Sequence, residues 1–208
     1  MNTPQAHRRV WLIDGHSAEQ SGVLADLYRG LPAQVLDEIE RMWAEAREAA
    51  ALEREAAGLN PLEHDHWCWR NKAESVEEWR HMLVAIECEG RWQGAMAVAR
   101  LPRSSRLGGG AVVYVDYLEA APWNLKSPLA PAWFKGVGIA LLADAVRLSN
   151  ETGLDGRVGL HSLPQAEPFY TRCGMTRVGE DPDYYGLPYY EYTGPQAAEW
   201  LASMEESA

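Results

Sequence analysis

The segment WFKGVGIALL, from Trp133 to Leu142, places a lysine and two glycines at the predicted start of a helix. The first four N–H groups of a helix have no intrahelical partner, and the helix dipole adds positive potential there. Glycines let a pyrophosphate approach those amides closely, and Lys135 adds a positive charge. The P-loop pattern is absent, and the dinucleotide pattern GxGxxG has Leu141 at its third glycine. The segment predicts either an anion-binding site or ordinary turn glycines before an amphipathic helix.

The segment HDHWC, residues 64–68, contains side chains that can bind zinc. Its two histidines are two positions apart, and no second cluster of ligands accompanies them in the sequence. We therefore expect no metal in this protein.

The composition limits the class of protein. A chain of 208 residues with 47% hydrophobic content fits one folded domain with a substantial core. The formal net charge of −11 repels a phosphate backbone, so we expect no nucleic-acid partner. No apolar run approaches the length of a membrane span, and we expect neither a membrane partner nor a secretory signal. Three scattered cysteines favour reduced thiols and a cytoplasmic location.

The hydrophobic pattern changes between helix and strand periods along the chain. A capping-box spacing at Ser17–Gln20 predicts a helix that ends at Gly30. Beyond Trp43 the second helix is predicted to face solvent, and residues 75–78 have the pattern of another helix cap. The further predicted helices cover residues 31–58, 136–152, 162–174 and 196–204. The predicted strands cover residues 8–14, 82–89, 92–100, 111–120, 157–161, 175–178 and 187–193.

Three motifs follow one another after the hairpin AIECEGRWQGAMAVA: YLEAAP, KGVGIALL and AEPFYTRCGM. Together they resemble the GNAT (Gcn5-related) N-acetyltransferase superfamily over residues 82–193. YLEAAP is similar to the end of the family's fourth strand, and KGVGIALL to its coenzyme A loop. AEPFYTRCGM is similar to the family segment that carries a tyrosine on the last helix of the core. Trp133 stands where the family prefers arginine or glutamine.

The resemblance implies an α/β (α+β) fold with a mixed, mainly antiparallel sheet of six to seven strands. The sheet would be splayed between its fourth and fifth strands and flanked by helices. A single domain over residues 1–208 is expected, in which residues 8–81 form a first strand and an extended helical region. Residues 82–193 would form the coenzyme-binding core, and residues 194–208 a C-terminal helix.

The resemblance also implies acetyl-CoA as co-substrate. The pantetheine arm would pair with the backbone at the end of the fourth strand, at Leu118, Ala120 and Ala121. An amide near Ala120 would polarise the thioester carbonyl. The pyrophosphate would be bound by Lys135 and by the amides of Gly136, Val137, Gly138 and Ile139.

Acyl transfer to an amine needs a proton acceptor for the amine and a proton donor for the departing thiolate. Tyr170 matches the family tyrosine and is the expected donor. Asp116 and Glu119 are the candidate bases, with Glu119 nearer the expected thioester. A regular strand points these two carboxylates to opposite faces, so only a bulge would bring both into one site. A third possibility is that neither is essential, because positioning alone supplies much of the rate.

The sequence therefore predicts an N-acetyltransferase that transfers an acetyl group to a small-molecule or peptide amine by direct attack in a ternary complex. A catalytically silent acyl-CoA sensor or interaction module is the alternative. The sequence also leaves open whether the protein forms a homodimer. Trp67 and Trp69 are interpreted either as part of the acceptor cleft or as a structural aromatic anchor.

Overall fold

A computed structural model describes residues 5–64, 66–73, 79–125, 127 and 130–205 of the chain. The predicted cap at residues 75–78 lies outside the described residues. The helices, in chain order, are α1 (Gln34–Ala56), α2 (Trp69–Ala73), α3 (Val137–Glu151), α4 (Glu167–Arg172) and α5 (Gly194–Glu205). The strands are β1 (Arg8–Asp14), β2 (Gly22–Leu31), β3 (His81–Cys88), β4 (Arg91–Ala99), β5 (Arg103–Ser104), β6 (Ala111–Ala120), β7 (Phe134–Lys135), β8 (Val158–His161), β9 (Thr176–Asp181) and β10 (Leu187–Glu191).

The chain forms two compact units, and β6 and α3 each contribute residues to both. The first unit contains the described residues of Met1–Ala97 and Tyr117–Leu141. Its strands follow the order β7-β1-β2-β3-β4, with the last residues of β6 beside β4. β1, β2 and β3 pair antiparallel, and β7 pairs antiparallel with β1.

Helix α1 covers the sheet of the first unit. Its buried apolar side chains recur at helical spacing, which places Leu36, Ile39 and Trp43 in one stripe. Trp43 is fully buried and its Nε1–H donates to the Trp92 carbonyl at 2.9 Å. The indole of Trp69, from α2, packs edge-on against Trp43 with a centroid distance of 6.4 Å. Helices α1 and α2 are thus joined by an aromatic contact that is excluded from water.

The second unit contains the described residues of Val98–Asp116 and Leu142–Ala208. Its strand order is β6-β8-β10-β9, with β5 paired to β6. β6 and β8 run parallel and their register covers only Val113↔Val158 to Val115↔Leu160. The other pairs in this unit are antiparallel. The register with β8 therefore stops five residues before β6 ends.

The fold class predicted from the sequence is confirmed: the chain is a mixed α/β protein with mainly antiparallel strand pairing and flanking helices. The described residues contain ten strands rather than six or seven. The three additional strands are β2 and the two-residue strands β5 and β7.

The helix predicted from the Ser17 cap to Gly30 is wrong, because this segment forms strand β2. Ala25 and Leu27 are buried, and the residues next to them in the sequence are more exposed. Burial therefore alternates with the period of two that is expected of a strand. Of the apolar residues that suggested a helical face, Leu27 lies on the buried face of the strand, whereas Leu24 lies on the other face and is exposed. Gln20 adopts a positive φ of 51° in the turn before β2, where a helix would have started.

Among the described residues, no helix combines the length and apolar character that crossing a bilayer requires. The same residues contain no group of three or more histidine, cysteine, aspartate or glutamate side chains that could hold a metal ion.

Candidate functional site

The backbone at the end of β6 presents two different edges. The Ala121 N–H donates to the Gln93 carbonyl of β4 at 2.9 Å, and the Ala121 carbonyl accepts from Asn124 N–H at 2.8 Å. Backbone groups of successive strand residues point to alternate edges. Val113 N–H, however, donates to the Arg157 carbonyl next to β8 at 3.0 Å, although Val113 lies an even eight residues before Ala121. Regular alternation therefore does not hold over the whole segment, and the pairing of Leu118, Ala120 and Ala121 with an extended ligand stays a prediction.

Helix α3 begins directly after a glycine in a positive-φ conformation. Gly136 has φ +90°, and its carbonyl accepts the first helical hydrogen bond, from Ala140 N–H at 2.8 Å. The N–H groups of the first helical turn, which include those of Val137, Gly138 and Ile139, have no carbonyl four residues before them inside the helix. The preceding Lys135 lies on β7, opposite Ile13 of β1, and is exposed. The predicted pyrophosphate-binding residues thus form one continuous helix start.

Gly94 brings this helix start next to the end of β6. A Cβ atom on Gly94 would lie 2.5 Å from Val137 Cγ1, 3.1 Å from Leu141 Cδ1 and 3.3 Å from the Glu119 carbonyl oxygen. Real Cβ atoms do not approach a neighbour at 2.5 Å, so only glycine permits this packing. Gly94 of β4 is therefore a point that both the start of α3 and the end of β6 approach closely.

Trp133, which replaces the arginine or glutamine of the family pattern, is 40% exposed and packs on Trp123 with a centroid distance of 5.6 Å. The guanidinium of Arg91 lies 5.3 Å from the Trp133 ring centroid. An arginine from another part of the sequence is therefore present beside this position.

Glu119 is buried and its carboxylate is bound on both oxygens. Trp69 Nε1–H donates to Oε2 at 2.6 Å, and Arg47 Nη2 lies 3.4 Å from Oε1. Arg47 also donates to Glu40 Oε1 at 3.0 Å, and the Trp69 backbone N–H donates to Glu40 Oε2 at 2.7 Å. We call Glu40, Arg47, Trp69 and Glu119 the buried ion network. It joins α1, α2 and β6.

Burial changes the acidity of two groups at this network. Desolvation raises the pKa of Glu119 to about 7, although Arg47, Trp69 and Lys72 all lower it. Desolvation also lowers the pKa of Lys72 to about 8, against an opposing effect of Glu119. For both side chains the loss of water outweighs the attraction between opposite charges.

Asp116 lies in different surroundings from Glu119. It belongs to the second unit, where Arg103 Nη2 lies 3.1 Å from its Oδ1. Tyr117 and Glu119 both contact Trp69, so these two alternate residues share a face of β6. The structure therefore gives the two candidate bases different partners.

Tyr170 lies in the second unit, on α4, and is 6% exposed. Its ring packs against Phe169 and Tyr190, with centroid distances of 5.0 and 5.8 Å. Burial raises the pKa of its hydroxyl, so the group stays protonated at neutral pH. Among the described residues, no hydrogen bond to this hydroxyl is present. Its assignment as proton donor stays a prediction.

A cleft of about 280 Å³ lies between the second half of α1 and the loop after β6. Its lining combines small apolar residues of α1 with aromatic residues of the loop, among them Ala46, Ala50, Trp123 and Trp133. Glu53 and Arg54 are the charged lining residues.

The sequence did not predict that Glu40, Arg47 and Lys72 would lie at this site. Arg47 stands in an alanine-rich run of alternating charge that was predicted to face solvent, but its exposed fraction is 8%. It lies four residues after Trp43, and Glu40 lies four after Leu36, so both continue the buried stripe of α1. That spacing is the sequence pattern that indicates their burial. For Lys72 the sequence offers no such pattern beyond its nearness to Trp67 and Trp69.

Replacing Arg47 by methionine is expected to lower the free energy of unfolding by about 3–5 kcal/mol, because two buried carboxylates lose their common cation. Chemical denaturation at neutral pH measures this loss. The matched control is Arg54→Met, on the same helix, which removes a hydrogen bond of 2.7 Å to the Asn60 carbonyl at an exposed position. It is expected to cost about 1 kcal/mol. Equal losses in the two variants would contradict the role of the network.

The raised pKa of Glu119 predicts a pH-dependent stability. Between the ordinary pKa of 4.5 and the folded value of about 7, the folded protein keeps a proton that the unfolded chain releases. The free energy of unfolding contributed by Glu119 therefore falls as pH rises through this window and is level above it. Lys72 has a folded pKa of about 8, so its titration changes the free energy of unfolding only at higher pH.

Denaturation curves of the wild type and Glu119→Gln across pH 4.5 to 7 test this window. As pH rises, we expect the free energy of unfolding of the wild type to fall relative to that of Glu119→Gln. A difference that stays constant across the window would show that Glu119 titrates normally.

Comparison with known proteins was made at the level of sequence families, curated sequences and solved structures. No family model matches the chain. No curated protein matches it significantly.

Solved structures do match. PaiA N-acetyltransferase from Thermoplasma acidophilum, in complex with coenzyme A, superimposes with a TM-score of 0.53 at 15% identity, over 81% of this chain and 98% of that one. A GNAT-family acetyltransferase from Listeria monocytogenes gives 0.52 at 15% identity, over 83% and 96%. A bacterial toxin gives 0.51 at 19% identity, over 68% and 81%. The chain therefore has the GNAT-like fold that its motifs predicted.

Proposed function

We propose that this protein is an acetyl-CoA-dependent N-acetyltransferase that transfers the acetyl group to an amine by direct attack on the thioester. The observation that carries the proposal is the junction at Gly94. There the helix start that suits a pyrophosphate and the strand end that suits a pantetheine arm both approach one glycine of β4. The similarity of the fold to coenzyme A-binding acetyltransferases supports the same function.

The coenzyme would lie along this junction. The pantetheine arm pairs with the edge of β6 that Leu118 and Ala120 present, as an added strand. The Ala120 N–H then polarises the thioester carbonyl. The pyrophosphate binds the amides of residues 136–139, and Lys135 neutralises part of its charge.

Glu119 is the proposed base. A pKa of about 7 lets a carboxylate accept a proton from an ammonium and release it again near neutral pH. Its hydrogen bonds with Trp69 and Arg47 fix its orientation at the end of β6. Tyr170, protonated at neutral pH, is the proposed donor to the departing thiolate.

Binding without turnover is the second candidate. One observation favours it: both Glu119 oxygens already have partners, which stabilise the ionised form and compete with its use as a base.

Acetyl-CoA is expected to raise the melting temperature of the protein. Because Lys135 is proposed to contact the pyrophosphate, Lys135→Ala should weaken acetyl-CoA binding by about fivefold to tenfold, or about 1 kcal/mol. Isothermal titration calorimetry measures the affinity. Arg9→Ala is the matched control, since it removes one exposed cation from the neighbouring β1. If acetyl-CoA neither binds nor stabilises the wild type, the proposed function is wrong.

Tyr170→Phe is expected to reduce turnover by about 10²–10⁴-fold with little change in acetyl-CoA affinity, because the hydroxyl would act only on the departing thiolate. Release of coenzyme A thiol with a panel of amines measures turnover. Thr171→Val, which removes a neighbouring hydroxyl on the same helix, serves as control. Acetyl-CoA binding without turnover on any amine would favour the sensor, and unchanged turnover in Tyr170→Phe would remove the donor assignment.

A further inference from the structure

The ammonium of Lys72 lies between two aromatic rings. Its Nζ is 3.8 Å from the ring centroid of Trp67 and 3.8 Å from that of Tyr117. The two rings meet nearly at a right angle, with an interplanar angle of 86° and centroids 5.8 Å apart. We call Trp67 and Tyr117 the aromatic cage. Ring faces at this distance attract a cation, so the cage fixes the position of the Lys72 amine.

The cage is built on the strand end where the thioester is proposed to lie. Tyr117 directly precedes Leu118 on β6, and Trp69, three residues before Lys72, hydrogen-bonds Glu119 at 2.6 Å. Glu119 interacts electrostatically with Lys72. All of these residues belong to the first unit. An internal primary amine and a candidate base are therefore held together beside the proposed acetyl donor.

The surroundings of Lys72 also favour a nucleophilic amine. Burial and the nearby Arg47 lower the pKa of Lys72 to about 8, so near neutral pH a larger fraction is uncharged than for a surface lysine. The cage restricts the amine to one region, which reduces the entropy cost of reaching a bound thioester.

We propose that Lys72 is a self-acetylation site, modified by acetyl-CoA bound to the same chain. This inference rests on the proposed function. The uncharged Lys72 nitrogen attacks the thioester carbonyl, a C–N bond forms and the C–S bond breaks. The proton lost from nitrogen passes to Glu119, and coenzyme A leaves as its thiolate, which takes up a proton. Nε-acetyl-Lys72 and free coenzyme A are the products, and the lysine loses its positive charge.

The composition of the chain makes the modification easy to map. Only three of its 19 basic Lys and Arg residues are lysines: Lys72, Lys126 and Lys135. The purified full-length protein is incubated with acetyl-CoA in the absence of any other amine, and intact mass and peptide mapping follow the acetyl group. We expect one acetyl group per chain at Lys72, added at least ~10-fold faster than at Lys135.

Two variants separate the cage from general lysine reactivity. Lys72→Arg keeps a cation between the rings and is expected to abolish the fast incorporation while leaving the melting temperature near that of the wild type. Arg70→Lys carries a second lysine on the same short helix at an exposed position, where Arg70 pairs with Asp37. That lysine is expected to react at the slow rate of Lys135.

The order of the reaction decides whether it occurs within one chain. A first-order rate constant that is independent of protein concentration supports self-acetylation, and an observed rate constant that rises in proportion to protein concentration would overturn it. Calorimetry with acetyl-CoA distinguishes the two levels of failure. Binding without acetylation of Lys72 overturns this inference alone and leaves Lys72 a structural cation, whereas absence of binding overturns the proposed function as well. Equal rates at Lys72 and Lys135 would also overturn the inference.

Discussion

One guanidinium between two buried carboxylates is the constraint on which the first unit depends. Arg47 of α1 bonds to Glu40 on its own helix and pairs with Glu119 on β6, and all three side chains are nearly excluded from water. Such charges are stable in a dry interior only when each has partners in good geometry. Trp69 completes the set with an indole N–H and a backbone N–H. The position of α2 is thereby coupled to that of α1 and β6.

The buried ion network restricts the geometry of the site more strictly than an apolar core would. Hydrophobic contacts tolerate small displacements, whereas hydrogen bonds to a buried carboxylate lose strength steeply with distance and angle. Glu119 is therefore held in one orientation at the end of β6. The same strand end and the start of α3 both lie close to Gly94, because this position has no side chain. Polar partners would thus fix the proposed base, and a missing side chain would shape the proposed coenzyme surface.

The sequence predicted the elements from β3 onward better than those before it. Strand β6, helix α3 and the hairpin of β3 and β4 carry strong local signals: β-branched runs, a glycine at a helix start and a two-residue turn. Strand β2 was mistaken for a helix because the spacing of Leu24, Leu27 and Tyr28 fits one face of a helix, whereas the segment is a strand that pairs with β1 and β3. Arg47 was assigned to solvent by its composition, although its spacing from Trp43 indicated burial. The cage around Lys72 joins residues far apart in sequence, at positions 67 and 117, and no local pattern reports such a contact.

The burial that perturbs Glu119 and Lys72 also brings their proton affinities together. In water a lysine holds its proton far more tightly than a glutamate, with ordinary pKa values of 10.5 and 4.5. In the folded chain the two values are about 8 and about 7, a difference of about one unit. Moving the proton from the amine to the carboxylate therefore costs less than it does between the same groups in water. An uncharged amine beside a protonated carboxyl is thus a readily reached state of this pocket. Once the carboxyl has passed that proton to solvent, it is ionised and can accept the proton that the nitrogen loses on attack. The same desolvation would act on an external ammonium that entered beside Glu119, so the dry surroundings of the strand end, more than any single side chain, would prepare the nucleophile.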